Sequence, residues 1–353
     1  MIRRFSFFGP LVLLALVAAA AALSACGASG GLVQPASTAV PFTTGTVFVS
    51  DPTKNQVVLF APSPGPNSIP ANPLAGTVTQ LNGPQAMAFD GGHNLYISNF
   101  NASAQPSASI LIYSVGTYQN NTPPTITISG SSTQMNTISG IAVDSSLNIY
   151  VSNCSNTSVN CSTGTSSILI FATNSKGNAT PTAISGPATG LAGPRGLAVG
   201  PDGTLWVANS GNGSVTRYAA PITAGNTAPI TIIQGTNTGL QAPADVILDA
   251  NATSNLYVSD STANGIFVFS SLSNGNASPI RVIQGAGTAL NRPGGLALSA
   301  VDGTLYVANV GASNVLLFAP VSGGVPGTAG TNVAPEATLT QTFGAVSDVE
   351  LSI

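Results

Sequence analysis

From Thr46 to the end of the chain, short apolar runs alternate with clusters of Gly, Pro, Asn, Asp and Ser, and the order of these runs repeats. The fullest copy is Gly193 to Tyr218, GPRGLAVGPDGTLWVANSGNGSVTRY. In it a small-residue turn leads to an apolar run, then an Asp/Gly turn, an aromatic-centred run ending in Asn, and a third apolar run. The aromatic-centred run returns as VFVSD (Val47 to Asp51), LYISN (Leu95 to Asn99), IYVSN (Ile149 to Asn153), LWVAN (Leu205 to Asn209), LYVSD (Leu256 to Asp260) and LYVAN (Leu305 to Asn309). Its central aromatics, Phe48, Tyr96, Tyr150, Trp206, Tyr257 and Tyr306, are 48, 54, 56, 51 and 49 residues apart. Self-similarity at this period marks one supersecondary unit per copy, within the range of propeller blades.

Each copy supplies four strands. The first reads GPQAMAFD, ISGIAVD, GPRGLAVG, APADVILD or RPGGLALS, and the third reads VVLF, ILIY, ILIF, VTRY, IFVF or VLLF. A loop, often Gly-Asn-x-x-Pro, precedes a fourth run such as ITIIQG. The second and third runs are apolar throughout rather than alternating, so both faces of each sheet must be buried, as in sheets packed radially between two neighbours. No first strand precedes Val47, whereas an orphan first strand, AVSDVELS, spans Ala345 to Ser352. Placing it beside Val47 to Asp51 closes the ring and removes the open sheet edges. The pattern therefore predicts an all-β, six-bladed β-propeller of four-stranded blades over residues 46–353. Three strands of blade one come from the N-terminal end and one from the C-terminal strand.

Composition adds location. Arg3 and Arg4 precede an apolar stretch, Leu11 to Ala22, that is too short to span a bilayer and reads as an export signal. Leu23-Ser24-Ala25-Cys26 resembles a bacterial lipobox, which implies a signal peptide over residues 1–25 and lipidation of Cys26. Residues 26–45 are Gly, Ala, Ser, Pro and Thr with little apolar period, a flexible tether. Cys154 and Cys161 share one short loop, CSNTSVNC, without a neighbouring His, and in an oxidising compartment they are expected to pair. Removing the leader leaves 6 basic and 11 acidic residues, with no basic patch, which argues against nucleic acid as a partner.

The copies resemble NHL-repeat propellers, most closely in GPRGLAVGPDGTLWVANSGNGSVTRY. They depart from that pattern in lacking its usual third-strand Arg and in carrying Asn99, Asn153, Asn209 and Asn309 where it has Asp. In such a propeller the first strands line the central channel, and their starts share one face with the turns that follow the second strands. That face is expected to carry Gln85, Arg195, Asp245, Arg292 and Asp348, together with Asp51, Asn99, Asn153, Asn209, Asp260 and Asn309. The long loops Phe100 to Ser109 and Cys154 to Ser167 join them there.

Two blades break their own repeat. A position that is Ala86, Gly140, Gly196 or Gly295 elsewhere is Asp245 in blade five and Asp348 in blade one, and two residues on, Glu350 points to the same side as Asp348. These three are the candidate ligands for a divalent metal such as calcium. Capping of backbone N–H groups is the other reading. Gln85, Asn99, Asn153, Arg195, Asn209, Asp260 and Asn309 are the candidate ligand-binding residues, although a short polar residue at a strand end also closes its own turn. The lone histidine, His93, lies on the opposite face, which argues against a Ser-His-Asp triad. The leading expectation is a non-catalytic, lipid-anchored, monomeric scaffold outside the cytoplasm that binds a protein, glycan or small ligand. A metal-assisted hydrolase similar to the gluconolactonase-like propellers, or an envelope adhesion protein, are the alternatives.

Overall fold

The computed structural model describes residues 43–352 apart from 72, 104–106, 156–164, 250–254, 320–331 and 341–342. The expected leader, the lipidation site Cys26 and the tether up to residue 42 lie outside the described residues, as does Cys161. Its expected partner Cys154 is buried at the end of a second strand, Ile149–Cys154.

The described residues form six antiparallel sheets and no α-helix. Five sheets have four strands in sequence order, and the sixth joins Val47–Asp51 and Gln56–Phe60 to Val349–Leu351 from the other end of the chain. The first strands, Pro84–Phe89, Thr137–Val143, Pro194–Val199, Pro243–Leu248, Pro293–Leu298 and Val349–Leu351, touch one another in that order, and the last touches the first. The ring is closed, with six blades around a channel, as the repeat predicts.

The apolar runs explain the packing. The second strands are buried almost throughout, as both faces of a sheet wedged between two others must be. Six apolar clusters fill the structure, one for each pair of neighbouring blades: Val47 and Phe60 meet Tyr306 and Leu317, Phe48 meets Leu95 and Tyr113, and so on round the ring. Each large side chain in these wedges contributes about 1.5–3 kcal/mol by leaving water.

Closure depends on the register Val47↔Leu351, Phe48↔Glu350 and Val49↔Val349. Backbone bonds extend it at both ends, from Ser50 N to Asp348 O (3.0 Å) and from Ser352 N to Thr46 O (3.0 Å). One expected strand is missing. Blade one's fourth strand is reduced to a single bridge between Val57 and Leu74, because Pro70 and Pro73 cannot donate to a ladder.

Candidate functional site

All six inner strands line a central channel that encloses about 250 Å³. In blades two to six the pairing of the inner strand with the second strand shifts by a bulge near its start. A bulge breaks the two-residue alternation of side chains, so neighbouring positions reach the same channel. The second position holds Gln85, Ser139, Arg195, Ala244, Gly294 and Ser347, and the third holds Ala86, Gly140, Gly196, Asp245, Gly295 and Asp348. Glu350 lines the channel where other blades carry Ala88, Ala142, Ala198, Ile247 and Ala297.

The structure thus brings together Gln85, Arg195, Asp245, Asp348 and Glu350. Two of the carboxylates straddle seams between blades. Asp348 Oδ2 accepts a hydrogen bond from Met87 N at 2.7 Å, and Asp245 Oδ2 accepts one from Leu296 N at 2.8 Å. Each other oxygen lies against a glycine of the preceding blade: a Cβ on Gly196 would collide with Asp245 Oδ1, and one on Gly295 with Asp348 Oδ1. Both functions of these carboxylates, capping an N–H and facing the channel, need that missing side chain.

The electrostatics are unusual for a surface of so few charges. Burial, opposed by backbone hydrogen bonds and by Arg195, pushes the Asp245 carboxyl up to about 7. Burial, backed by repulsion from Asp245 and Glu350, raises Asp348 well above the carboxylate range. Burial also pushes Glu350 up to about 8, with repulsion from Asp245 adding to it. Three carboxyls this close cannot all ionise at neutral pH, so the channel holds protons there. Burial, and then the like charge of Arg292, lower the pKa of Arg195, while Asp245 acts in the opposite direction. Such a guanidinium nonetheless stays charged.

No group of three or more His, Cys, Asp and Glu side chains is arranged to hold a metal ion among the described residues. One oxygen of Asp348 caps Met87 N and one of Asp245 caps Leu296 N, as the capping alternative expects.

The ring of strand-end residues lies elsewhere, apart from the channel. Asn99 Oδ1 accepts from Asn82 N (3.2 Å), Asn153 Oδ1 from Asn136 N (2.8 Å), Asn209 Oδ1 from Ala192 N (3.2 Å) and Asn309 Oδ1 from Asn291 N (2.6 Å). Asp260 receives four backbone N–H groups, from Gln241, Ala242, Thr262 and Ala263. All five are buried, and each latches the segment that enters its blade's inner strand. Ser139 in the channel wall was not singled out by sequence. The signal for it was present, since the second position also carries Gln85, Arg195 and Ser347.

A family model described as a seven-bladed β-propeller lactonase matches residues 13–338. The chain belongs to that family. This lactonase-family chain has six sheets among its described residues where the family's description gives seven blades. Its fold is shared by a periplasmic gluconolactonase from Pseudomonas aeruginosa, with a TM-score of 0.58 and 14% identity over 87% of this chain and 99% of that one. A protein from Bacteroides fragilis described as a putative 6-phosphogluconolactonase gives a TM-score of 0.57 and 14% identity over 87% and 97%. A structure of a nidogen–laminin complex gives 0.59 and 16% identity over 87% and 98%. No curated protein sequence matches.

Membership of the lactonase family overturns the expectation of a non-catalytic binding scaffold. The reasoning behind that expectation failed at one step. Well-kept core positions report only that each blade folds, and say nothing for or against chemistry in the channel.

Proposed function

We propose that the protein is a lactone hydrolase whose reaction takes place in the central channel. The observation that carries this reading is the placement of Asp245, Asp348 and Glu350 in one channel of a lactonase-family chain, at positions where the repeat itself calls for Gly, Ala or Ile. Carboxyls poised near neutrality suit proton transfer, because they exchange protons readily at the working pH.

Asp245 is the carboxyl most readily ionised, since the backbone N–H groups of Leu296 and Val246, and then Arg195, favour its charged form against its burial. In its ionised form it takes a proton from the attacking water. The water oxygen bonds to the lactone carbonyl carbon, the bond from that carbon to the ring oxygen breaks, and the ring oxygen takes a proton from the pair Asp348 and Glu350. The proton gained by Asp245 then passes back to the pair Asp348 and Glu350, so each turnover consumes one lactone and one water, gives one hydroxy acid and restores the three carboxyls. These steps use the chain's own carboxyls and route nothing through a metal.

The reading takes the enzyme to be exported and held at a bacterial membrane surface through Cys26, on the strength of its leader, with Cys154 and Cys161 paired and the NHL-like repeat as scaffold. The test is the opening of D-glucono-1,5-lactone and a panel of five- and six-membered lactones by the purified protein, against a buffer blank and with a chelator. Turnover that survives chelation supports the reading. Turnover that is lost on chelation and restored by a divalent ion would replace it with metal-assisted hydrolysis, and no turnover on any lactone would overturn it.

A further inference from the structure

We infer that Arg195 is the electrophilic residue of this ring opening: its guanidinium receives the carbonyl oxygen as negative charge forms there, and then holds the carboxylate of the product. The inference rests on the hydrolase reading and assigns a role that its carboxyls cannot fill.

The first observation is that the fold does not need this side chain. Equivalent positions in other blades are Ala244, Gly294 and Ser139, so a small residue suffices for the strand and its bulge. A long cation here is a departure from the repeat, as the three carboxyls are.

The second is that the guanidinium has no fixed partner. Among the described residues it makes no ion pair within 4.0 Å and no side-chain hydrogen bond, although it is half-buried in the channel wall. Arg217 shows what a structural arginine looks like in this protein. It is paired with Asp202, hydrogen-bonded to Thr204 Oγ1 at 3.1 Å, and laid over the Trp206 ring with Cζ 4.9 Å from its centroid. A half-buried cation left without such bonds has its donors available to an anion or acceptor that enters the channel.

The third is the polarity of the channel. Gln85, Ser139 and the one cation, Arg195, stand on three consecutive blades, two to four, while the acids stand on blades five and one, where Ser347 also lines the wall. Blade six between those acids presents Gly294 and Gly295 at the two corresponding positions. A lactone has matching ends: an acceptor carbonyl oxygen on one side and, across the scissile bond, a ring oxygen that must gain a proton. Its carbonyl oxygen turned toward Arg195 leaves the ring oxygen toward the acidic side.

The chemistry then follows. When the water oxygen adds to the carbonyl carbon, the carbonyl π pair moves onto its oxygen, and the attraction to a fixed guanidinium grows as that charge develops. An interaction stronger in the transition state than with bound substrate raises kcat rather than lowering KM. The same two-pronged guanidinium matches both oxygens of the product carboxylate.

The test compares wild type, Arg195→Ala and Arg195→Lys on a neutral lactone, D-glucono-1,5-lactone, and on an anionic one, a glucarolactone. Arg195→Ala should lower kcat on both by about 10²–10³-fold with little change in KM, as loss of one oxyanion donor does. Millimolar guanidinium should restore part of the rate, Arg195→Lys should keep more of it than Arg195→Ala, and gluconate should lose its inhibition. Circular dichroism should be unchanged, since alanine stands at the same place in blade five. Unchanged kcat on the neutral lactone, with only the KM of the anionic one raised, would overturn the assignment and leave the hydrolase reading intact. A wild type that opens neither lactone would overturn the hydrolase reading itself, and the assignment with it.

Discussion

Replacing Asp245 by asparagine should stabilise the domain at alkaline pH and leave its stability at acid pH nearly unchanged. A carboxyl that titrates at 3.8 in an unfolded chain and at about 7 in the fold binds its proton more tightly when folded. Below pH 4 it is protonated in both states and costs nothing. As pH rises through the unfolded value the unfolded chain gains by ionising, and the fold loses stability until pH passes the folded value. The difference is worth roughly 4 kcal/mol when complete, at about 1.4 kcal/mol per tenfold change in proton affinity. Asparagine keeps an oxygen to accept the hydrogen bond from Leu296 N, so the substitution removes the charge and little else. Urea midpoints at pH 3, 5, 7 and 9 should therefore show almost no gap at pH 3, a gain for the variant of about 1.5 kcal/mol at pH 5 and one of about 4 kcal/mol at pH 9. The acidic turn residues whose pKa is lowered, Asp90 and Asp144 among them, act alike in both proteins and cancel. A gap that stays constant from pH 5 to pH 9, or a wild type that gains on the variant as pH rises, would refute the reasoning.

Other outcomes follow from the same geometry. Lactone turnover should rise as pH passes about 7, where Asp245 ionises, and fall above about 8, where Glu350 loses its proton; Glu350→Gln should lower the rate and remove the alkaline fall. Removal of the last nine residues takes away the closing strand together with Asp348 and Glu350, so the truncated chain should elute as aggregate and lose its cooperative unfolding transition. Asn209→Ala should destabilise the domain by about 1–3 kcal/mol, the cost of leaving Ala192 N without its partner, while KM on any accepted lactone stays unchanged.

The fold was legible because the repeat states it six times and the ends of the chain complete it. Val349–Leu351, read as an inner strand without a blade of its own, pairs with Val47–Asp51 and closes the ring. Blade one's fourth strand was not legible in detail, since two prolines reduce it to a bridge without altering the apolar pattern nearby. At the site, Asp245, Asp348 and Glu350 stood out because five sister positions showed what the fold requires. The strand-end residues gave no such contrast. Asn209 folding back on Ala192 N and Asn209 facing a ligand are the same letter at the same place, and only the folded chain separates them. The capping role of two carboxylates was open for a related reason: sequence counts carboxylates but not the N–H groups, Met87 and Leu296, that bond to their oxygens.

The most direct measurement is steady-state opening of D-glucono-1,5-lactone by wild type, Asp245→Asn, Glu350→Gln and Asn209→Ala, assayed side by side near pH 7.5. Turnover by the wild type and by Asn209→Ala, with a loss of about 10²-fold or more in both channel variants, is the predicted result. Channel variants as active as the wild type, or a wild type no faster than the buffer blank, would contradict it.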